Sequence, residues 1–239
     1  MQRADDARMV DLNADLGEEV TDDDGLLAVV TSANVACGFH AGTPATMRAV
    51  CAGAVRRGVA LGAQVSYDDR ANFGRVELDV APDVLREQVA EQVGVLSAIA
   101  AAEGGEVIYL KPHGALYHRV AVDEAQAAAV LDASGDLPVL GMPGSLLLAM
   151  ARDRGRGVRL EGFPDRGHDA AGRLLPRDRP GALVTEPVEV ARRAVAQAVE
   201  VDSVCVHGDS PDAVATAVAV RRALEADGWS LQQCWSSTG

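Results

Sequence analysis

Val107-Ile108-Tyr109-Leu110-Lys111-Pro112-His113-Gly114-Ala115-Leu116-Tyr117-His118 opens as a short β-branched and aromatic run, closes that run on a lysine and a histidine, and turns at glycine into an apolar segment. This is the pattern of a strand that delivers polar groups at its C-terminal end and hands the chain to a helix. Six further runs have the same character: Met9–Asn13, Asn34–Cys37, Val59–Gln64, Pro138–Gly141, Val158–Gly162 and Ser203–His207, with weaker pairing expected around Ala182–Thr185. Longer helical patterns separate them. From Pro82 to Glu103 the apolar residues Leu85, Val89, Val93, Leu96 and Ala100 recur at spacings of three and four, which places them on one helical face. Thr43-Pro44 and Ser210-Pro211-Asp212 each supply an N-cap hydroxyl followed by proline at the first helical position, where its missing N–H is harmless. Strand and helix in alternation predict an α/β fold with a parallel sheet. With no internal repeat or linker, residues 1–239 read as a single domain, a closed or nearly closed barrel of seven strands. An open doubly wound sheet is the alternative. Phe163–Pro180, rich in Arg, Asp, Gly and Pro, is too long and polar for an ordinary connection and reads as an ordered functional loop.

Composition narrows the partners. A formal net charge of -13 and a pI near 4.7 oppose nucleic acid and anionic membrane surfaces, which leaves small molecules or proteins. Neither a signal peptide nor an apolar stretch of membrane-spanning length is visible, so a cytoplasmic location is expected. Cys37, Cys51, Cys205 and Cys234 lack metal-knuckle spacing and read as small core residues, with Cys37 beside Gly38 and His40 the one placed to line a site.

Parallel βα folds gather the C-terminal ends of their strands on one face, where active sites form. Asp11, Asn13 and Asp15 end the first strand and His40 follows the second. Gln64 to Arg75 follow the third, Lys111 and His113 end the fourth, Glu161 and Asp165 the sixth, and His207 and Asp209 the seventh. These groups are expected to converge. All five histidines sit in Gly- or Asp-containing loop segments rather than on an apolar helical stripe, which favours a site lined by imidazoles. Lys111 is the sole lysine among 22 basic residues, so its position asks for the compact, deprotonatable ammonium that arginine cannot supply. In Asp11-Leu12-Asn13-Ala14-Asp15-Leu16-Gly17-Glu18 the acidic and amide groups alternate with apolar ones and therefore share one side of a strand. Turned inward, they need cations, a metal or a polar substrate as partners.

That segment is joined by Ser32-Ala33-Asn34 through Cys37-Gly38-Phe39-His40-Ala41-Gly42, Asn72-Phe73-Gly74-Arg75, Leu110-Lys111-Pro112-His113-Gly114-Ala115-Leu116-Tyr117, Asp165-Arg166-Gly167 with Leu175-Pro176-Arg177, and Val206-His207-Gly208-Asp209. In that order they resemble the successive blocks of the LamB/YcsF family, a family of 5-oxoprolinase A subunits. The resemblance implies a distorted seven-stranded parallel (β/α) barrel of the glycoside hydrolase/deacetylase type. It also implies ATP-dependent opening of 5-oxoproline (pyroglutamate), a small cyclic amide, to L-glutamate together with the 5-oxoprolinase subunits B and C. Without a GxxxxGK[ST] loop or kinase signature set, ATP with Mg2+ is expected as a co-substrate bound by several loops or at a partner interface.

The matching positions supply the candidate site. Lys111 and His113 would neutralise the anionic oxygen or phosphoryl group, and Asp15 or Asp209 would activate water. Arg75 or Arg166 would hold the substrate carboxylate in a bidentate grip. Asn13, His40, Gln64, Asn72, Glu161, Asp165 and His207 would complete the substrate-binding set. The sequence departs from the family where Gly62-Ala63-Gln64-Val65-Ser66 replaces Gly-Ala-His-Pro-Ser, where Asp68-Asp69-Arg70 replaces Pro-Asp-Arg, and where His118 stands at a common asparagine position. Glutamine is a poor ligand, so no tightly bound metal is expected and Asp15 and His40 are weak candidates for one. Two other functions fit the residues: a metal-dependent deacetylase-like hydrolase of an acylated amine or sugar, and a lactam-binding subunit with reduced activity of its own.

Overall fold

The computed structural model describes residues 8–169, 174–177, 179–210 and 212–235. Pro211, named above as a first helical residue, and positions 170–173 and 178 of the long loop lie outside these. Seven strands, β1 (Arg8–Leu16), β2 (Ser32–Ala36), β3 (Ala60–Val65), β4 (Val107–Pro112), β5 (Val139–Gly141), β6 (Val158–Gly162) and β7 (Ser203–Val206), pair in chain order, all parallel. β1 then pairs with β7 through Asp11–Ala14 and with β2 through Asn13–Leu16, and the barrel closes. The expected seven strands and closure are both found. A further three-residue strand, β8 (Trp229–Leu231), joins the start of β1 at Arg8–Val10.

Helices α1 (Asp23–Leu27), α2 (Pro44–Arg57), α3 (Pro82–Ala102), α4 (Gly114–Arg119), α5 (Glu124–Ala133), α6 (Leu146–Asp153), α7 (Pro187–Gln197) and α8 (Ala213–Ala226) follow the strands. α2 begins at Thr43, whose side chain and backbone are paired reciprocally with Thr46 across the first turn. α3 buries Leu85, Val89, Leu96 and Ala100 on the face read from the sequence, with Ile99 and Gln92 added. Gln92 clamps the backbone N–H and carbonyl of Ser66, so the helix fixes the exit of β3. Among the described residues no helix is long and apolar enough to cross a membrane.

Strand alternation sends Leu12, Ala14 and Leu16 outward to the helices and Asp11, Asn13 and Asp15 into the barrel. The interior is consequently polar and layered. At the bottom, Thr31, Ser32 and Ser203 donate to Asp11, whose pKa burial raises. Asn13, Asn34 and the Tyr109 hydroxyl share the middle layer. Asp15, Gln64, Lys111, His113 and Glu161 form the top. Ordinary barrels fill these positions with branched apolar side chains; here the bottom and middle layers pair their polar groups with one another inside the wall.

Gly62 makes room for this arrangement. A Cβ there would stand 2.2 Å from two ring atoms of Tyr109, which is fully buried and stacked on Trp235 at 4.1 Å. Gly62→Ala should therefore destabilise the fold by at least about 1–3 kcal/mol in denaturant unfolding. Gly94→Ala, on the exposed side of α3 with nothing within 4 Å, should stabilise it by about 0.5–1 kcal/mol.

Candidate active site

The top layer opens into a cavity of about 490 Å3 at the C-terminal ends of the strands. Lys111 is at its floor, only 3% exposed. Its Nζ lies 3.1 Å from Asp15 Oδ1, Glu161 Oε2 and Cys205 Sγ, and 3.5 Å from Asn13 Oδ1. Burial works against the ammonium, but Asp15, Cys205 and Glu161 outweigh it and hold its pKa well above the ordinary lysine value. Burial likewise penalises ionised Asp15, and Lys111, with His113 and His207, overcomes that and draws the carboxyl well below its usual range. Glu161 lacks so many cationic neighbours, and burial raises its pKa. Of the two carboxyls on the ammonium, Asp15 is the one its surroundings favour as the anion.

On the seventh-strand side, His207 Nδ1 lies 2.9 Å from Asp165 Oδ2, and the same oxygen accepts from the His207 backbone N–H. Burial would raise the Asp165 pKa, but the contacts with His207 hold it below the ordinary value. A carboxylate on Nδ1 fixes the ring orientation and leaves Nε2 for chemistry in the cavity that His207 lines. Phe163 stacks on this imidazole at 5.5 Å.

At the rim, Arg75 and Arg177 both grip Asp209, with the Arg177 contact at 3.1 Å. Arg166 lines the same wall, but its Nε and Nη2 donate to the carbonyls of Ala182 and Leu175 and so brace the long loop. The described residues of the loop carry antiparallel bridges Arg166–Leu183 and His168–Leu174.

The third wall depends on two left-handed turns. Phe73 has φ +59° and Gly74 φ +68° after a 3-10 turn at Arg70–Asn72. Gly114, at φ +61°, lets the fourth-strand turn approach so closely that a Cβ would meet the Gly74 carbonyl oxygen at 2.2 Å. The turns seat His113, whose Nδ1 accepts from Gln64 Nε2 at 2.9 Å, so that Nε2–H donates to the Phe73 carbonyl at 3.2 Å. His40 stacks on His113 at 4.1 Å, 1% exposed, and burial lowers its pKa to about 4.

Of the residues read from the sequence, Asp15, Arg75, Lys111, His113, Arg166 and His207 line the cavity. Asn13, His40, Gln64 and Glu161 are packed beneath or beside its floor, and Asp165 stands behind His207. Asn72 is spent on Asp69, which organises the turn before Arg75. Asp209 and His113 are engaged, the one by arginines and the other at both ring nitrogens. Arg177, Tyr117 and Glu18 join the site without having stood out in the sequence, although each lies within a segment that resembles the LamB/YcsF family. Glu18 Oε1 lies 3.6 Å from both His40 Nε2 and His113 Nδ1, so two imidazoles and a carboxylate converge beside Asp15 and His40, the weak metal candidates of the sequence.

The profile of one protein family matches residues 10–238. The chain belongs to the LamB/YcsF family. It is 53% identical over 243 residues to the 5-oxoprolinase A subunit from Streptomyces coelicolor, covering 92% of this chain and 97% of that protein. The lactam utilization protein of Thermus thermophilus superposes with a TM-score of 0.87 at 37% identity, covering 94% of this chain and 99% of that one. A family 4 carbohydrate esterase from Streptomyces lividans has a TM-score of 0.53 at 11% identity, covering 97% and 95%, which extends the LamB/YcsF barrel to deacetylase-like folds.

Lys111→Met removes one side of a buried ion pair, which costs about 3–5 kcal/mol near neutral pH. Because the Asp15 pKa is depressed in the folded state, its pairing stabilises above the unfolded carboxyl value and is lost as pH falls through the folded one. In the variant, burial without the ammonium favours protonated Asp15. The stability gap between the two proteins, measured by denaturant unfolding across pH, should therefore narrow as pH falls, starting above the ordinary carboxyl value, where Asp15 of the variant takes its proton, and continuing below about pH 4 as the wild-type pair is lost.

Proposed function

We propose that this chain is the A subunit of an ATP-dependent 5-oxoprolinase, a hydrolase that opens the five-membered lactam of 5-oxoproline to L-glutamate together with subunits B and C. The observation that carries the reading is the ionised Asp15–Lys111 pair at the floor of a cavity walled by Arg75, Arg166 and Arg177, in a chain about half identical to proteins of that name. Opening the ring breaks the amide C–N bond, adds a hydroxyl to the carbonyl carbon and places a proton on the nitrogen. Asp15 would orient the water. His207, its Nδ1–H held by Asp165, would take the water's proton on Nε2 and pass it to the leaving nitrogen. The Lys111 ammonium would keep Asp15 ionised and oppose charge building on the carbonyl oxygen.

The substrate is itself a carboxylate, and the arginine wall is built to receive one. Asp209 already occupies Arg75 and Arg177 in the way such an anion would, so an entering substrate competes with it for the same two guanidinium groups. ATP with Mg2+ enters as co-substrate, bound with the partner subunits. An amide resists water at neutral pH; transfer of the ATP γ-phosphoryl to the lactam oxygen, with ADP leaving, would activate the carbonyl carbon. One water and C–N cleavage would then give the acyl phosphate, and a second water would release phosphate and glutamate. The cytoplasm, where ATP is available, suits this assignment.

Glutamate release from 5-oxoproline is expected from the chain combined with subunits B and C in the presence of ATP and Mg2+, and not when ATP or the partners are omitted. Acetate release from N-acetylated sugars without ATP, in place of that result, would instead support a deacetylase. Lys111→Arg retains the charge, but four neighbours within 3.5 Å leave no space for a guanidinium, so turnover should fall by about 10²–10³. Undiminished turnover in that variant would remove the role given to the lysine.

A further inference from the structure

Beside the Asp15–Lys111 pair lies a second group of buried polar side chains that the lactam reaction does not use. Glu18 is 4% exposed, and among the described residues its one side-chain hydrogen bond comes from Gln64 Nε2 at 3.0 Å. Both ring nitrogens of His40 are buried without a hydrogen-bond partner, as are Gln64 Oε1 and Ser66 Oγ. Unpartnered groups in a dry site are costly. Three carboxyl groups, those of Asp15, Glu18 and Glu161, also share this layer with Lys111 as its one ammonium.

The spacing of the donor atoms fits a cation. An ion held tetrahedrally about 2.0–2.1 Å from nitrogen and oxygen separates its ligands by about 3.3–3.5 Å. Glu18 Oε1 stands 3.6 Å from His40 Nε2 and 3.6 Å from His113 Nδ1, too far for hydrogen bonds and close to that edge, and all three donor atoms lie within 4.8 Å of one another. Gln64 points its amide nitrogen at Glu18 and His113 together, which puts the positive end of a dipole between two acceptors. Reversing the amide would offer its unpartnered oxygen instead.

We infer that Glu18, His40 and His113 form a binding site for one divalent transition-metal ion, with Gln64 able to turn its carbonyl oxygen towards it. Two imidazoles and one carboxylate suit zinc or iron(II) rather than magnesium or calcium. The stacked rings of His40 and His113, 15° from parallel, must tilt to share an ion, and no hydrogen bond holds His40 back. Asp15 Oδ2, 3.8 Å from His113 Nδ1, borders the site and places the ion next to the cavity floor. This reverses the expectation of no bound metal that the glutamine at position 64 prompted, and it stands independently of the lactam reaction because its readout is the metal itself.

The test uses cobalt(II) as probe on the chelator-treated full chain, followed by visible absorption, calorimetry and thermal melting. The expected result is one equivalent bound, with the intense d–d bands of a four- or five-coordinate ion and a raised Tm. His40→Gln and Glu18→Gln should each weaken binding at least about tenfold, and Gln64→His, which adds an imidazole, should tighten it by at least that factor. A folded wild-type chain that takes up no stoichiometric cobalt, or variants that bind it unchanged, would overturn the site. Should both ligand variants fail to fold, Gln64→His decides: tighter binding supports the site, and unchanged binding refutes it.

Discussion

The contact between the Lys111 ammonium and Asp15 sets the terms for everything around it. An ion pair at the centre of a closed barrel is far stronger than at a surface, but it forms only if the wall delivers both charges already desolvated and correctly placed. β1 brings Asp15, β4 Lys111, β6 Glu161 and β7 Cys205, so the register of four strands is expressed in the surroundings of one nitrogen. The layers below serve the same end. Serine and threonine hydroxyls absorb Asp11, amides and a phenol absorb one another, and the barrel can carry a polar axis without water.

Charge is distributed against the average. The chain as a whole is strongly acidic, at -13, yet among the described residues the cavity sets Arg75, Lys111, Arg166 and Arg177 against Asp15 and Glu77 alone. A positive mouth in a negative molecule favours a small anion over a polyanion, because a long acidic polymer meets repulsion everywhere beyond the pocket while a single carboxylate feels chiefly the local field. The arginines are also held differently. Arg166 is fixed by loop carbonyls, whereas Arg75 and Arg177 converge on the Asp209 carboxylate.

The strand positions and the inward face of β1 were legible because period-two alternation and β-branched runs are local signals. β8 was not, since three residues that pair only with the start of β1 leave too little pattern to read. The convergence of strand-end residues followed from topology, but their division of labour did not. Asn72 looked like a ligand-binding amide and is used to cap Asp69. Arg166 looked like a substrate clamp and two of its nitrogens brace a loop. Glu18 was passed over although it stands in the first quoted block: the chain turns at Gly17 and Glu19, both at positive φ, and only that turn carries the carboxylate back over the barrel mouth to the histidines. Long-range pairing decides each of these, and no local pattern encodes it.

With only one lysine in the sequence, and that one 3% exposed, the folded chain presents virtually no side-chain amine to solvent. Acylating reagents that decorate most proteins at many points would find this barrel almost inert along its surface. Modification at Lys111 would then report on one place, the cavity floor, at a rate set by entry of the reagent and by release of the ammonium from Asp15.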